Sequence, residues 1–302
     1  MKYRLLLSFI FLLAIKNVAA QPTPSVVVSI KPIHSIVSTL MSGIAEPQLL
    51  LESSNSAHTF HLKPSQVRML TNADLVIIIS EDFELGLRKA IKSIENDSLF
   101  QITSLNNLSI HKSRSEILNS KENEETDEHD ENIYDLHLWL DINNTKLIAE
   151  HINKLLIKID PINEDKYNNN FLELTLDLEE LLIDLKKQMA PFLTSQFAVF
   201  SDTTQYFEKS MSLIRPIIIT PYHGARLSII RTLMAKETMS DLSVSCLLYG
   251  QEAKPNQISV LSEGLSLKTF EIDILGTKYP EGPGQYFNLM KRISSQLASC
   301  LK

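Results

Sequence analysis

His58 and His61 flank a Thr-Phe pair in the segment SAHTFHLKP, and His137 lies in DLHLWLD. A neutral imidazole steadied by a carboxylate or carbonyl is the commonest protein ligand for zinc, so these are the first positions to ask for metal chemistry. SAHTFHLKP reads as a loop leading from a short strand into a helix, and such loops surface at the rim of a parallel sheet, where ligands bind. In DLHLWLD, alternation assigns Leu136, Leu138 and Leu140 to one face and Asp135, His137 and Trp139 to the other. His34 and His151 fall within helical patterns and read as surface or satisfied core residues. His111 and His129 lie near or within an acidic run, which either holds or steers cations loosely or is a solvated spacer.

Enzyme signatures are missing. The chain contains no GxSxG, HExxH, phosphate loop or GxGxxG after a strand, and its eight glycines leave little for a nucleotide cradle. Its two cysteines, Cys246 and Cys300, form either one disulfide or part of a metal site. No CxxC spacing supports the metal, and in an oxidising compartment an even pair favours the crosslink. Closing that loop stabilises by about 4 kcal/mol in the chain-entropy account. The compartment is argued from the N-terminus. Lys2 and Arg4 precede an apolar run, Leu5 to Ile15, and Val18-Ala19-Ala20 places small residues before Gln21. This is the pattern of a signal peptide cleaved after Ala20, which implies export. The alternative, an uncut anchor, has against it a run shorter than the ~20 residues of a membrane span. A formal charge of -7 argues against nucleic acid as a partner.

The elements that must position these residues alternate in type. VVVSI (26–30), a short Leu49–Leu51 and LVIII (75–79) read as strands. Helical patterns at His34–Met41, Pro64–Thr71 and Phe83–Ile94 separate or follow them, and a weak strand follows at Leu99–Ile102. Runs apolar on both faces, separated by helices, imply a buried parallel sheet. Residues 113–131, including KENEETDEHDE, cannot bury a core and read as a mobile acidic loop. A helix over Asn143–Ile159 precedes a longer one over Asn163–Ala190, ended by Pro191. Strands at Phe197–Phe200, Ile217–Thr220, Val244–Leu248 and Lys268–Ile272 then alternate with helices at Tyr206–Met211, Leu227–Lys236, Asn256–Glu263 and Gln285–Leu301. The predicted fold class is α/β, with two lobes, each a parallel sheet of about four strands flanked by helices. The predicted boundaries are a leader at 1–20, an N-terminal lobe at 21–160, a linking helix at 161–190 and a C-terminal lobe at 191–302. Such an architecture puts a ligand in the cleft between lobes, near the carboxyl ends of the strands.

In this order the segments resemble the periplasmic zinc-binding proteins of bacterial ABC importers, the ZnuA type of metal-binding receptor. VVVSIKPIHSIVSTLM is similar to that family's first strand and helix. HTFHLKPSQVRMLTNADLVIIIS is similar to its HxxxLxPSxxxxLxxADLVxxxG stretch, and DLHLWLD to its D-x-H-x-W-L segment. YFEKSM, EIDILGT and the closing ASCLK also match, so the resemblance covers nearly the whole chain after residue 20. It implies two lobes bridged by a rigid helix, and a monomeric receptor that holds Zn2+ as cargo. The partners it implies are an ABC-importer membrane permease and its cytoplasmic ATPase.

The same resemblance puts His58 and His137 on metal-ligand positions. It puts Asp273 on the acidic position that ligates metal in related manganese and zinc receptors, and it pairs Cys246 with Cys300. The family's third histidine, expected shortly after the YFEK segment, is matched by Ile218, with His223 five residues on. The family's EPQF segment is altered to Gly250-Gln251-Glu252-Ala253. Two imidazoles and one carboxylate make an open site that water, His61, His223 or Glu252 completes. Three ligands plus water is also the catalytic arrangement for zinc, but no general base accompanies it, so binding without chemistry is the better fit. The alternatives are a manganese or iron receptor of the same fold, one with weakened binding, or a secreted zinc hydrolase. Affinity is expected to fall below about pH 6, as imidazoles take up protons.

Overall fold

The computed structural model describes residues 23–51, 60–114, 134–220 and 227–302. The predicted leader, His58, His129 with nearly all of the acidic segment, and His223 lie outside the described residues.

Chain order begins with β1 (Val26–Val28), α1 (Lys31–Leu40), β2 (Gln48–Leu49), α2 (Pro64–Thr71), β3 (Leu75–Ile78), α3 (Arg88–Ile91) and β4 (Leu99–Gln101). The four strands pair in parallel in the order β2-β1-β3-β4. β1 and β3, apolar at every position, are the central pair and are buried on both faces. α2 starts at Pro64, which suits a first helical turn, and the Gln66 side chain accepts from the Lys63 N–H at 2.9 Å. A small antiparallel hairpin follows, β5 (His111–Lys112) against β6 (Tyr134–Asp135). α4 (Ile142–Ile159) is capped by the Asp141 carboxylate, which accepts from the Asn143 N–H at 2.9 Å.

α5 (Glu164–Met189) is the long helix read from the sequence. It buries Leu174, Leu178, Leu181, Leu185 and Met189 at three- and four-residue steps. At about 1.5 Å per residue its 26 residues span about 39 Å. Beyond it come β7 (Ala198–Ser201), α6 (Gln205–Ser210), β8 (Ile217–Thr220), α7 (Ile229–Asp241), β9 (Cys246–Tyr249), α8 (Pro255–Ser262), β10 (Lys268–Glu271) and α9 (Gln285–Leu301). The second sheet, β10-β9-β7-β8, is again all parallel and repeats the strand order of the first.

One apolar core runs through both lobes, from Val27 and Ile77 through Ile36, Leu181 and Leu289 to Val199 and Leu248. α1, buried along nearly its whole length, lies between α5 and α9. The Asn170 amide of α5 donates to the carbonyls of Leu40 and Ser42 at 2.8 and 3.0 Å, satisfying the end of α1. A second, smaller core packs α7 and α8 on the far face of the second sheet. Cys246 and Cys300 form a disulfide joining the first residue of β9 to the last turn of α9, with Cα atoms 5.2 Å apart.

Two expectations need correction, and the position matched to the family's third histidine can be located. The Phe83–Ile94 helix is a 3-10 turn, Leu85–Leu87, followed by the single turn of α3. Gly86 passes under the Phe60 carbonyl, where a Cβ would stand 2.3 Å from the oxygen. DLHLWLD does not alternate as a strand. After Asp135 the chain tightens into a 3-10 turn, Leu138–Leu140, which buries Leu138, Trp139 and Leu140 together. Ile218 lies mid-strand in β8, paired with Val199 and 1 % exposed in the shared core.

Candidate metal centre

In each sheet the strand order reverses, between β1 and β3 in one and β7 and β9 in the other. Open parallel sheets bind ligands outside the carboxyl ends of their strands at that reversal. Ser29 and Ser80 lie just past β1 and β3, and Asp202 and Gly250-Gln251-Glu252 just past β7 and β9.

Glu84 occupies the first of these ends and is fully buried. Its Oε1 accepts from Ser29 Oγ at 2.5 Å and from the Ile79 N–H at 3.0 Å, and its Oε2 accepts from the Ser80 N–H at 3.0 Å. Burial pushes its pKa up to about 7, against the three hydrogen bonds that favour the anion. The neighbouring Phe83 ring stands edge-on to His137 and to Trp139, with centroids 5.7 and 5.5 Å away.

His137 is 7 % exposed. Its Nδ1–H donates to Asp135 Oδ1 at 2.7 Å, and the same oxygen accepts the His137 backbone N–H at 3.0 Å. An aspartate bonding the backbone two residues on is an Asx turn, which bends the chain out of β6 into the 3-10 turn. The ring bond fixes the proton on Nδ1 and the lone pair on Nε2, as a metal-ligating histidine requires. Asp135 is held from the other lobe. Tyr206 Oη donates to its carbonyl at 2.6 Å, and Gln205 Nε2 to its Oδ2 at 3.4 Å. Trp139 makes a second link, donating through Nε1 to the Ile274 carbonyl at 2.8 Å, one residue past Asp273.

Asp273 follows β10 and is half-buried. Its Oδ1 accepts from the N–H groups of Leu275 and Gly276 at 3.1 and 2.8 Å, and its Oδ2 accepts from Thr277 Oγ1 at 2.8 Å. A carboxylate offers about four lone-pair positions, so Asp273 has room to hold a metal through one oxygen only. Gln251 Nε2 donates to Thr277 Oγ1 at 3.1 Å, tying the turn after β9 to this carboxylate. Glu252 is half-buried in that turn, its carboxylate folded over Gly250, where a Cβ would stand 2.1 Å from Oε2. His61 is exposed, just ahead of α2. Among the described residues, no three of His, Cys, Asp and Glu converge as a metal-binding group.

The remaining described histidines pack elsewhere. His34 is buried in α1, its Nε2 3.0 Å from the Pro47 carbonyl, and burial lowers its pKa. His151 packs at a tilt against Phe100, with centroids 4.7 Å apart. His111 stacks on Tyr206 at 4.8 Å. Sequence reasoning missed Glu84 and an ion cluster of Arg114, Asp202 and Glu208. Only the presence of Asp202 and Glu208 in the apolar-rich FAVFSDTTQYFE hints at buried charge.

Comparison with known proteins gives a consistent answer. The family model described as ZnuA, zinc-uptake complex component A, periplasmic, matches residues 26–300. The High-affinity zinc uptake system protein ZnuA of Brucella abortus (strain 2308) is 27 % identical over 313 residues, covering 91 % of each chain. A crystal structure of a ZnuA deletion mutant with zinc bound superposes with a TM-score of 0.76 at 20 % identity, covering 93 % of this chain and 99 % of that one. The solute-binding protein FpvC of Pseudomonas aeruginosa, in complex with Mn2+, superposes with a TM-score of 0.75 at 15 % identity, covering 93 % and 98 %.

Proposed function

The chain belongs to the ZnuA family of periplasmic zinc-uptake components, and from that premise we propose that it captures Zn2+ and delivers it to the membrane permease of an ABC importer with a cytoplasmic ATPase. The observation that carries this reading is the His137–Asp135 pair, a buried imidazole whose Nδ1–H is fixed 2.7 Å from a carboxylate oxygen. His137 and His58 supply the nitrogens of the proposed site, and Asp273 supplies one oxygen. His61, His223 and Glu252 are the candidates to complete it. The protein binds and releases the ion unchanged, so it is a receptor rather than a hydrolase. In the same reading residues 1–20 are a leader removed on export, and 21–160 and 191–302 are the lobes that 161–190 joins.

A second reading, a receptor for manganese or iron, has in its favour the similar fold of Mn2+-bound proteins such as FpvC. Two imidazole nitrogens favour zinc, whereas a further carboxylate would favour the harder ions. Competition titration of the metal-free protein with Zn2+ and Mn2+ decides between them. Tight stoichiometric zinc binding, weakened about tenfold or more by His137→Ala, is the expected result. Unchanged affinity in His137→Ala would reject the site, and metal-dependent turnover would reject the receptor.

A further inference from the structure

The β5–β6 hairpin carries Asp135, and a single segment of the C-terminal lobe, residues 202–208, grips it. Arg114, two residues past β5, donates from Nε to Asp202 Oδ1 and Oδ2 at 3.0 and 3.1 Å and from Nη2 to Oδ1 at 2.5 Å. Its Nη1 and Nη2 donate to Glu208 at 2.6 and 3.2 Å, and its backbone N–H donates to Asp202 Oδ2 at 3.0 Å. The three side chains keep only 12, 1 and 2 % of their exposure. In the same segment Tyr206 Oη accepts from the His111 N–H at 3.1 Å and donates to the Asp135 carbonyl at 2.6 Å. Gln205 Nε2 donates to the Lys112 carbonyl at 3.0 Å.

We propose that Arg114 is a positioning residue for metal capture: seated between Asp202 and Glu208, it locks the β5–β6 hairpin onto α6 and so sets where Asp135 holds the His137 ring. This inference rests on His137 being a zinc ligand, as proposed above. Two buried carboxylates require a cation, because leaving either unpaired is strongly unfavourable. The guanidinium is suited to the role because its planar fork bonds both at once, which a lysine ammonium does not. The other bonds of the grip end on hairpin backbone atoms, on Lys112, Asp135 and His111, and on the Asp135 carboxylate through Gln205 Nε2. A shift of Arg114 therefore displaces the strand itself, and Asp135 moves with it. Outer partners of a metal ligand change affinity by about 10–100-fold when altered.

The test uses the full chain, stripped of metal with a chelator, as Arg114→Lys, Glu208→Gln and His137→Ala. Zn2+ affinity is read by competition with a chromophoric chelator, and site geometry by the visible absorption of the Co2+-loaded protein. The expected result is a zinc affinity about tenfold lower in Arg114→Lys with altered Co2+ bands, and a smaller change of the same kind in Glu208→Gln. Glu208→Gln, which is isosteric, carries the test by itself if the lysine variant does not fold. A purely structural role would lower the thermal midpoint of both variants and leave zinc affinity and the Co2+ spectrum at wild-type values. That outcome, with His137→Ala impaired, overturns this inference alone. Wild-type binding by His137→Ala overturns the underlying site and this inference with it.

Discussion

Changing Glu84 to glutamine should alter how stability responds to pH. In the native protein this carboxyl is sealed from water, and burial raises its pKa from the ordinary 4.5 to about 7. The unfolded chain releases the proton near 4.5 and the folded chain near 7, so between those values the native state holds the extra proton. Glu84 therefore contributes fully to stability below about pH 4.5, and that contribution is lost as pH rises through about 7. At about 1.4 kcal/mol per tenfold change in acidity, the loss is about 3 kcal/mol. Glutamine does not titrate. Its amide NH2 must face either Ser29 Oγ and the Ile79 N–H or the Ser80 N–H, which sacrifices a hydrogen bond. That costs about 1–3 kcal/mol, the same at every pH. Urea unfolding of both proteins, metal-free, from about pH 4 to about pH 8 isolates the effect, because other groups cancel in the difference. The difference should move by about 3 kcal/mol in favour of the glutamine variant as pH rises. A difference independent of pH would refute the reasoning, showing that the native carboxyl titrates as it does in the unfolded chain.

Asp135→Asn, which removes the charge that fixes the His137 tautomer, should weaken zinc binding about tenfold or more in a competition titration; unchanged affinity would show that the ring needs no such partner. Trp139, the only tryptophan, lies with its ring centroid 5.4 Å from that of His137. Its fluorescence should change on zinc addition and cease to respond in His137→Ala, whereas an equal response in that variant would move the metal elsewhere. Removing the disulfide by Cys246→Ser with Cys300→Ser should lower the unfolding free energy by about 4 kcal/mol, read as an earlier urea midpoint than the oxidised wild type. Coincident curves would contradict the chain-entropy estimate.

How legible the molecule was from sequence depended on the range of the interactions involved. VVVSI and LVIII announced β1 and β3 because central parallel strands bury both faces. The leucines of α5 gave its length and its core face, because one periodicity persists over many turns. DLHLWLD misled because a two-residue rhythm over seven residues suits a strand, whereas the Asx turn at Asp135 bends the chain into a 3-10 turn. The centre was half legible. His137 and its need for a carboxylate were visible, but not that Tyr206 and Gln205 of the other lobe hold that carboxylate. Arg114 stands 88 and 94 residues from Asp202 and Glu208. No local pattern reports a charge whose partners are that distant.

The shared interior of the two lobes limits how an ion bound as proposed above could be let go. Strands of both sheets and the helices between them share one apolar core, and polar contacts from Arg114, Asp135 and Trp139 also cross from one lobe to the other. Prising the halves apart would wet that interior at about 2.5 kcal/mol for every 100 Å2 of apolar surface. A wide jaw-like opening is therefore costly in proportion to the apolar area it would expose. For the receptor proposed above, handover would then proceed through small rearrangements of side chains and turns, with the membrane partner drawing the ion out by contact.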